Sequence, residues 1–300
     1  MPRPNRNDAF SRVLSFAALV CALASTSCSE EKRDPTERRP ATEEELARDA
    51  ERIRKTLGDG FIVELEKPFV VAGNISRADF TQIKTGTILE SYDAFYRQFF
   101  TVKPSHILRV YLFKDDRTYR AYAKKLFGDE PETPYGYYSS RDRSLIMNIG
   151  TGTGTLVHEM THALIESDFP QVPAWFNEGL GSLFEQCMFT EHGLKGLVNW
   201  RLPILRKAIA DKRLTGLRKL VSTTRHEFYQ DEKGAHYAEA RYFCMYMQEL
   251  GLLEKFYKEF RANHKDDPTG ARTLEKLLGK SLDKVQPDWL KWVATLPVSR

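Results

Sequence analysis

The sequence is short of cysteine, with four in 300 residues, and two of these, Cys21 and Cys28, lie near the N-terminus. So few exclude a small scaffold held together by disulfides. They leave Cys187 and Cys244 for the body of the chain, either paired in an oxidising compartment or buried as two apolar thiols. An excess of one charge is lacking too: 45 basic residues against 41 acidic leave a net +4. No Lys/Arg-dense block with interleaved aromatics appears, which argues against a nucleic-acid partner. The apolar run from Val13 to Ala24 is too short to be a comfortable membrane span. No repeat of fixed period is present, so a solenoid is not expected. The glycine-rich stretch Gly150-Thr151-Gly152-Thr153-Gly154 lacks the closing Lys-Ser or Lys-Thr of a phosphate loop and reads as a turn from a strand into a helix.

The N-terminus carries an export signal: Arg3, Arg6 and Arg12 precede the apolar run, and small residues from Ala24 to Ser27 lead into Cys28. This arrangement resembles a bacterial lipoprotein signal spanning residues 1–28, with cleavage before Cys28 and a lipid on that cysteine holding the protein to an envelope membrane. Ser25 stands where such signals usually have Leu. Ordinary cleavage near Ala24 or Ser27, or an uncleaved anchor, remain open, and all three place the rest of the chain outside the cytoplasm. Residues 29–41 are charged and proline-containing and read as a tether. Residues 42–300 are expected to fold as one domain, since the chain is 41% hydrophobic and 12% aromatic.

Within that domain, Thr42 and Glu45 form a capping-box pattern ahead of a helix over 42–57, stopped by Gly58. Strands are expected at 61–66, 68–73, 106–113 and 144–149, with helices over 77–100 and from Asp115 to Phe127. Residues 135–138, Tyr-Gly-Tyr-Tyr, read as an aromatic loop, packed or lining a groove. Thr153 or Thr155 would cap the next helix. From Pro173 onward the pattern is helical, with segments near 174–189, 200–212, 215–222, 235–249, 252–263, 270–279 and 282–296. The expected class is α+β: a mixed part over 42–170 with a small mixed sheet, and an all-helical part over 171–300.

The chemistry sits in His158-Glu159-Met160-Thr161-His162, an H-E-x-x-H on a predicted helix. Four residues apart, the two imidazoles share a face and can reach one metal ion. Glu159 lies about 100° around the helix from His158. It would stand beside the metal and act on a water there. The flanks Leu156, Val157, Ala163, Leu164 and Ile165 make the helix apolar nearly all round, so the polar side chains would be costly to bury without partners. Glu178, 16 residues beyond His162 in Trp175-Phe176-Asn177-Glu178-Gly179, is placed to return on a second helix as a third ligand. His158, His162 and Glu178 would leave the open fourth position of a catalytic zinc site.

H-E-x-x-H followed closely by W-x-N-E-G resembles the gluzincin metallopeptidases. The local wording over about residues 140–190, Leu-Val-His-Glu-Met-Thr-His-Ala-Leu and then Val-Pro-Ala-Trp-Phe-Asn-Glu-Gly-Leu, is similar to the bacterial peptidase-MA-like families. The resemblance implies a thermolysin-like fold, one Zn2+, hydrolysis of a peptide or protein substrate, and a groove beside an edge strand, here Leu145–Ile149. Two departures stand out. Ser182 occupies the place, four residues after the ligand Glu, where thermolysin-like members carry an Asp that orients the first His. No acidic residue in 144–149 matches the amino-terminus-binding motif of the aminopeptidase branch, which favours an endopeptidase.

Such a centre needs a donor for the oxyanion. Tyr237 is the first candidate, ahead of His236 and His226; a structural role is open for each. Asn177 could contact substrate or cap a helix, and Trp175 and Phe176 read as core. The expected protein is an exported zinc metallopeptidase with Glu159 as general base. The alternatives are a lipoprotein that binds a partner and uses metal structurally, and a zinc amidase acting on cell-wall material. Oligomeric state is not encoded in any feature seen.

Overall fold

The computed structural model describes residues 39–231 and 234–297. The export signal, Cys28 and nearly all of the tether lie outside the described residues. Thr42 caps helix α1 (Glu43–Leu57) through the capping box with Glu45, and Gly58 ends it at a φ of 80°. Then come β1 (Ile62–Glu66), β2 (Phe69–Gly73), α2 (Arg77–Ile83), a π-helical stretch at Lys84–Leu89 and α3 (Glu90–Gln98). They are followed by β3 (Leu108–Phe113), α4 (Asp116–Phe127), β4 (Gly136–Ser139) and β5 (Ser144–Asn148).

Five strands form one mixed sheet in the order β1-β2-β3-β5-β4; β2, β3 and β5 run parallel, and both edge strands pair antiparallel. The inner strands are apolar on both faces, as strands covered from two sides must be. Val70, Ala72, Tyr111, Phe113 and Ile146 pack with Leu46, Ala50 and Ile53 of α1 and with Tyr119 and Ala123 of α4. The alternate residues Val71, Val110, Leu112, Leu145 and Met147 join the larger core formed with the helices that follow.

Those helices are α5 (Gly154–Asp168), α6 (Ala174–Phe184), α7 (Leu202–Ala210), α8 (Leu217–Val221), α9 (Arg225–Tyr229), α10 (Ala235–Glu249), α11 (Leu253–Asn263), α12 (Ala271–Leu278) and α13 (Leu282–Thr295). Helix α5 lies against β4 and β5, α6 packs on α5, and α10 packs along α6. The α6–α10 approach requires Gly179, because a Cβ there would stand 2.9 Å from both the Ala240 carbonyl oxygen and the Cys244 sulfur. The end of α5 is pinned by Asp168, whose buried carboxylate accepts from the Thr101 and Val102 backbone N–H groups and the Tyr257 hydroxyl. The class is thus mixed α and β with a small mixed sheet and helices around it.

Several expectations are corrected. The part from residue 171 is not all helical: α6 stops at Phe184, and β6 (Cys187–Thr190) and β7 (Gly193–Gly196) form a hairpin. The reason lies in two glycines. Gly193 takes a φ of 139°, and Gly196 lies so close to Leu183 that a side chain there would collide with it. The strand at 144–149 is interior, and the edge is the tyrosine stretch read as a loop, which zips onto β5 as β4. Thr153 stands at the N-cap of α5 but makes no side-chain capping bond. Helix α9 falls in a stretch where no helix was expected. Of the two readings left open for Cys187 and Cys244, the free-thiol one holds, with Cys244 buried and Cys187 half-buried.

Candidate metal centre

Helix α5 presents His158 and His162 on the face turned to α6, with ring centroids 4.7 Å apart and the ring planes nearly perpendicular. Helix α6 brings Glu178 to the same point. Its Oε2 lies 3.3 Å from His158 Nε2 and 3.5 Å from His162 Nε2. All three ligand atoms lie within 4.8 Å of one another. A tetrahedral ion with bonds of about 2.0–2.1 Å needs ligand atoms about 3.3–3.4 Å apart, which the two carboxylate–imidazole distances match, so the three groups could hold a single ion of that kind. The helices leave little room at Gly181, where a Cβ would meet both imidazoles at 3.2–3.3 Å.

The far nitrogen of each ring is also faced by a polar side chain. His162 Nδ1 is 3.0 Å from Asn177 Oδ1, an oxygen that can accept an Nδ1–H, and in a neutral ring so held the lone pair falls on Nε2. His158 Nδ1 lies 3.2 Å from Oε1 of Glu185, an ion-pair contact bent away from a linear hydrogen bond. Glu185 also takes both arms of the Arg201 guanidinium, at 2.9 and 2.6 Å, and the Asn199 amide at 3.1 Å. Ser182, at the position where the resembled family carries an orienting Asp, is buried and its hydroxyl has no hydrogen-bond partner.

These contacts set the charges. Burial opposes a proton on His158, yet Glu178 and Glu185 override it and raise its pKa to about 10. His162 is likewise raised by Glu178 against its burial. Burial would raise Glu178, but the two imidazoles hold it well below the ordinary carboxylate value. In the same way, Arg201 and His158 hold Glu185 at about 2. Glu159 moves the other way: burial raises it, against the pull of both imidazoles.

Glu159 reaches from α5 to the edge strand, where its Oε2 accepts the Tyr138 backbone N–H at 2.9 Å. On β4 the odd-numbered residues pair inward, as the Asn148 N–H to Tyr135 carbonyl bond shows. Gly136 and Tyr138 therefore turn their backbone groups outward along the edge, where the Tyr138 N–H meets Glu159. The Tyr138 hydroxyl donates to Glu166 Oε2.

Tyr237 is half-buried beneath Arg201, whose guanidinium lies 5.1 Å from the ring centroid. Burial and the neighbouring Glu178 push its pKa up, so it stays protonated. Tyr229, from α9, was not foreseen: its hydroxyl donates to Glu178 Oε1 at 2.5 Å. The other histidine candidates are placed elsewhere. His236 bridges the Phe228 carbonyl and the Thr215 hydroxyl, and His226 is exposed beside Gln230. Trp175 is core as expected, its indole N–H donating to the Thr269 carbonyl. Glu185 was also missed. Two helical turns beyond Glu178, its spacing could have revealed it, whereas Arg201 and Tyr229 arrive from separate segments with no local pattern. No protein-family model matches the chain, and no curated protein matches its sequence.

Proposed function

We propose that this chain is a zinc-dependent endopeptidase with a gluzincin-like, thermolysin-like catalytic arrangement, exported and lipid-anchored through Cys28. The observation that carries the reading is one cluster: two imidazoles each 3.3–3.5 Å from one carboxylate oxygen, beside a further glutamate tied to a sheet edge. His158, His162 and Glu178 would hold the ion. When bound, zinc supplies Lewis acidity, polarising a carbonyl and making water acidic near neutral pH.

The chain's own groups would do the rest. An extended substrate would lie along β4 and pair with the outward backbone groups of Gly136 and the Tyr138 carbonyl, the Tyr138 N–H being taken by Glu159. Glu159 Oε2 is occupied by the Tyr138 N–H, so Oε1 is the oxygen left to take the proton from the attacking water. The same carboxyl would then pass that proton to the leaving amine nitrogen. The Tyr237 hydroxyl, protonated and without a hydrogen bond among the described residues, would donate to the developing oxyanion.

The test is zinc content and cleavage of a broad peptide library by the purified protein and its Glu159→Gln variant. One equivalent of zinc in both and cleavage in the wild type alone supports the reading. No zinc in either removes it. Zinc in both with hydrolysis of cell-wall amides instead of peptides would move the substrate class to the amidase alternative.

A further inference from the structure

We propose that Glu185, clamped by Arg201 and Asn199, is the positioning residue that sets His158 for metal binding, replacing any partner one turn after Glu178. The proposal rests on the metal reading of the cluster. His158 lies between two carboxylates that address opposite edges of its ring: Glu178 faces Nε2, and Glu185 faces Nδ1. Glu185 therefore cannot share an ion with Nε2. It can hold the Nδ1–H tautomer and aim the ring, the role a carboxylate plays behind a metal-bound histidine.

The surroundings show a built support rather than a chance surface pair. Glu185 and Arg201 are each about 12% exposed and joined by two hydrogen bonds, the fork geometry that fixes a carboxylate in plane. Arg201 is held from its sides as well, 4.2 Å from the Trp200 ring centroid and 5.1 Å from that of Tyr237. Asn199, buried, gives its amide to Glu185 while its Oδ1 accepts the Arg201 backbone N–H. The β6–β7 hairpin carries the chain away from Glu185 and returns it at Asn199 and Arg201. Gly154 completes the fit, since a Cβ there would lie 2.4 Å from the Glu185 carbonyl oxygen, so the first turn of α5 rests on the Glu185 backbone. Ser182 has nothing to orient, for its hydroxyl meets no partner, whereas His158 Nδ1 has Glu185 Oε1 at 3.2 Å, an ion-pair contact short of a linear hydrogen bond.

The experiment measures Zn2+ affinity of the full chain by competition with a chromophoric chelator, for wild type, Glu185→Ala, Glu185→Gln, Arg201→Met and Ser182→Ala. Thermal unfolding of each zinc-free protein is recorded beside it. Glu185→Ala is expected to weaken zinc by about 10–100-fold. Glu185→Gln, which keeps an acceptor for the Nδ1–H, should lose less, and Arg201→Met should lie between it and wild type. Ser182→Ala should stay within about twofold of wild type. The visible spectrum of the Co2+-loaded protein should change in Glu185→Gln although the ligands are unchanged, a shift that a purely structural ion pair would not cause. Should Glu185→Ala fail to fold, Glu185→Gln decides by itself. If the wild type binds zinc and the Glu185 variants bind it equally well, or if Ser182→Ala is the one that weakens it, the proposal is overturned. If the wild type takes up no zinc, it is the metal reading that has failed.

Discussion

The backbone N–H of Tyr138 donates to Oε2 of Glu159, so the edge strand and the motif helix are joined through the side chain proposed as the base. A glutamine at 159 keeps an acceptor for that N–H, whereas an alanine leaves it without one. Glu159→Gln is therefore expected to unfold within a degree or two of wild type. Glu159→Ala should lose about 1 kcal/mol, the net worth of a hydrogen bond. Both should lose about 10²–10⁴-fold in cleavage, the usual contribution of a general base. Unfolding curves and cleavage assays on the two variants check this. Equal destabilisation by Gln and Ala would mean that the Tyr138 contact does not hold in solution.

Two glycines of α6 serve opposite neighbours and should fail differently. At Gly179 a Cβ would press on the Ala240 carbonyl and the Cys244 sulfur, so backbone has to move. Gly179→Ala is expected to cost about 1–3 kcal/mol of stability, the range for overpacking. At Gly181 the neighbours are the His158 and His162 rings, at 3.2–3.3 Å, which can give by a few tenths of an ångström. Gly181→Ala should fold nearly as well as wild type but bind zinc more weakly. Unfolding and zinc competition on the same pair of variants separate the two effects.

Much of the architecture was legible because local signals agreed with burial. The Thr42–Glu45 capping box, Asp115 as an N-cap and Gly128 as a left-handed helix end each mark a boundary that the structure keeps. The same holds for the cluster itself, since i, i+4 spacing alone brings His158 beside His162. What could not be read depends on contacts distant in sequence. Four residues, Tyr-Gly-Tyr-Tyr, become strand β4 only because β5 offers them a ladder. The β6–β7 hairpin interrupts a helical pattern because Gly196 nests on Leu183. Tyr229 reaches Glu178 across 51 residues, and no periodicity encodes that meeting.

That Tyr229 contact gives a third prediction. Its hydroxyl holds Glu178 Oε1, while Oε2 faces the two imidazoles, so the carboxylate's rotation is fixed from its second oxygen. Tyr229→Phe removes this restraint and little else, because the ring is about 40% exposed. Zinc affinity should fall by about tenfold, the lower end for loss of such a supporting bond. The fold should be nearly unchanged. Chelator competition on Tyr229→Phe checks it, and unchanged affinity would leave Tyr229 as a rim residue without a part in holding Glu178.

The zinc-free protein should carry the charge balance of the cluster into its pH dependence. Against the cost of burial, Glu178 and Glu185 raise His158 from 6.5 to about 10. A raised folded pKa means that the protonated ring is favoured by folding. Its stabilisation is complete below about pH 6.5 and is lost as pH climbs toward 10. Glu185 runs in the opposite sense. Although burial opposes it, Arg201 and His158 lower its pKa from 4.5 to about 2, so its contribution is complete above about pH 4.5 and is lost as pH falls toward 2. Part of both shifts is one contact seen from its two ends, and Glu185→Gln should weaken both limbs together. The melting temperature of the chelator-treated protein is thus expected to be highest between about pH 4.5 and 6.5 and to fall on either side. Zinc binds the neutral ring, so adding it should oppose the alkaline fall and leave the far acidic limb in place, where protons displace the metal. Melting curves from pH 3 to 10, with and without zinc, read this directly. A zinc-free protein equally stable at pH 6 and pH 9 would show that His158 is not held between the two carboxylates.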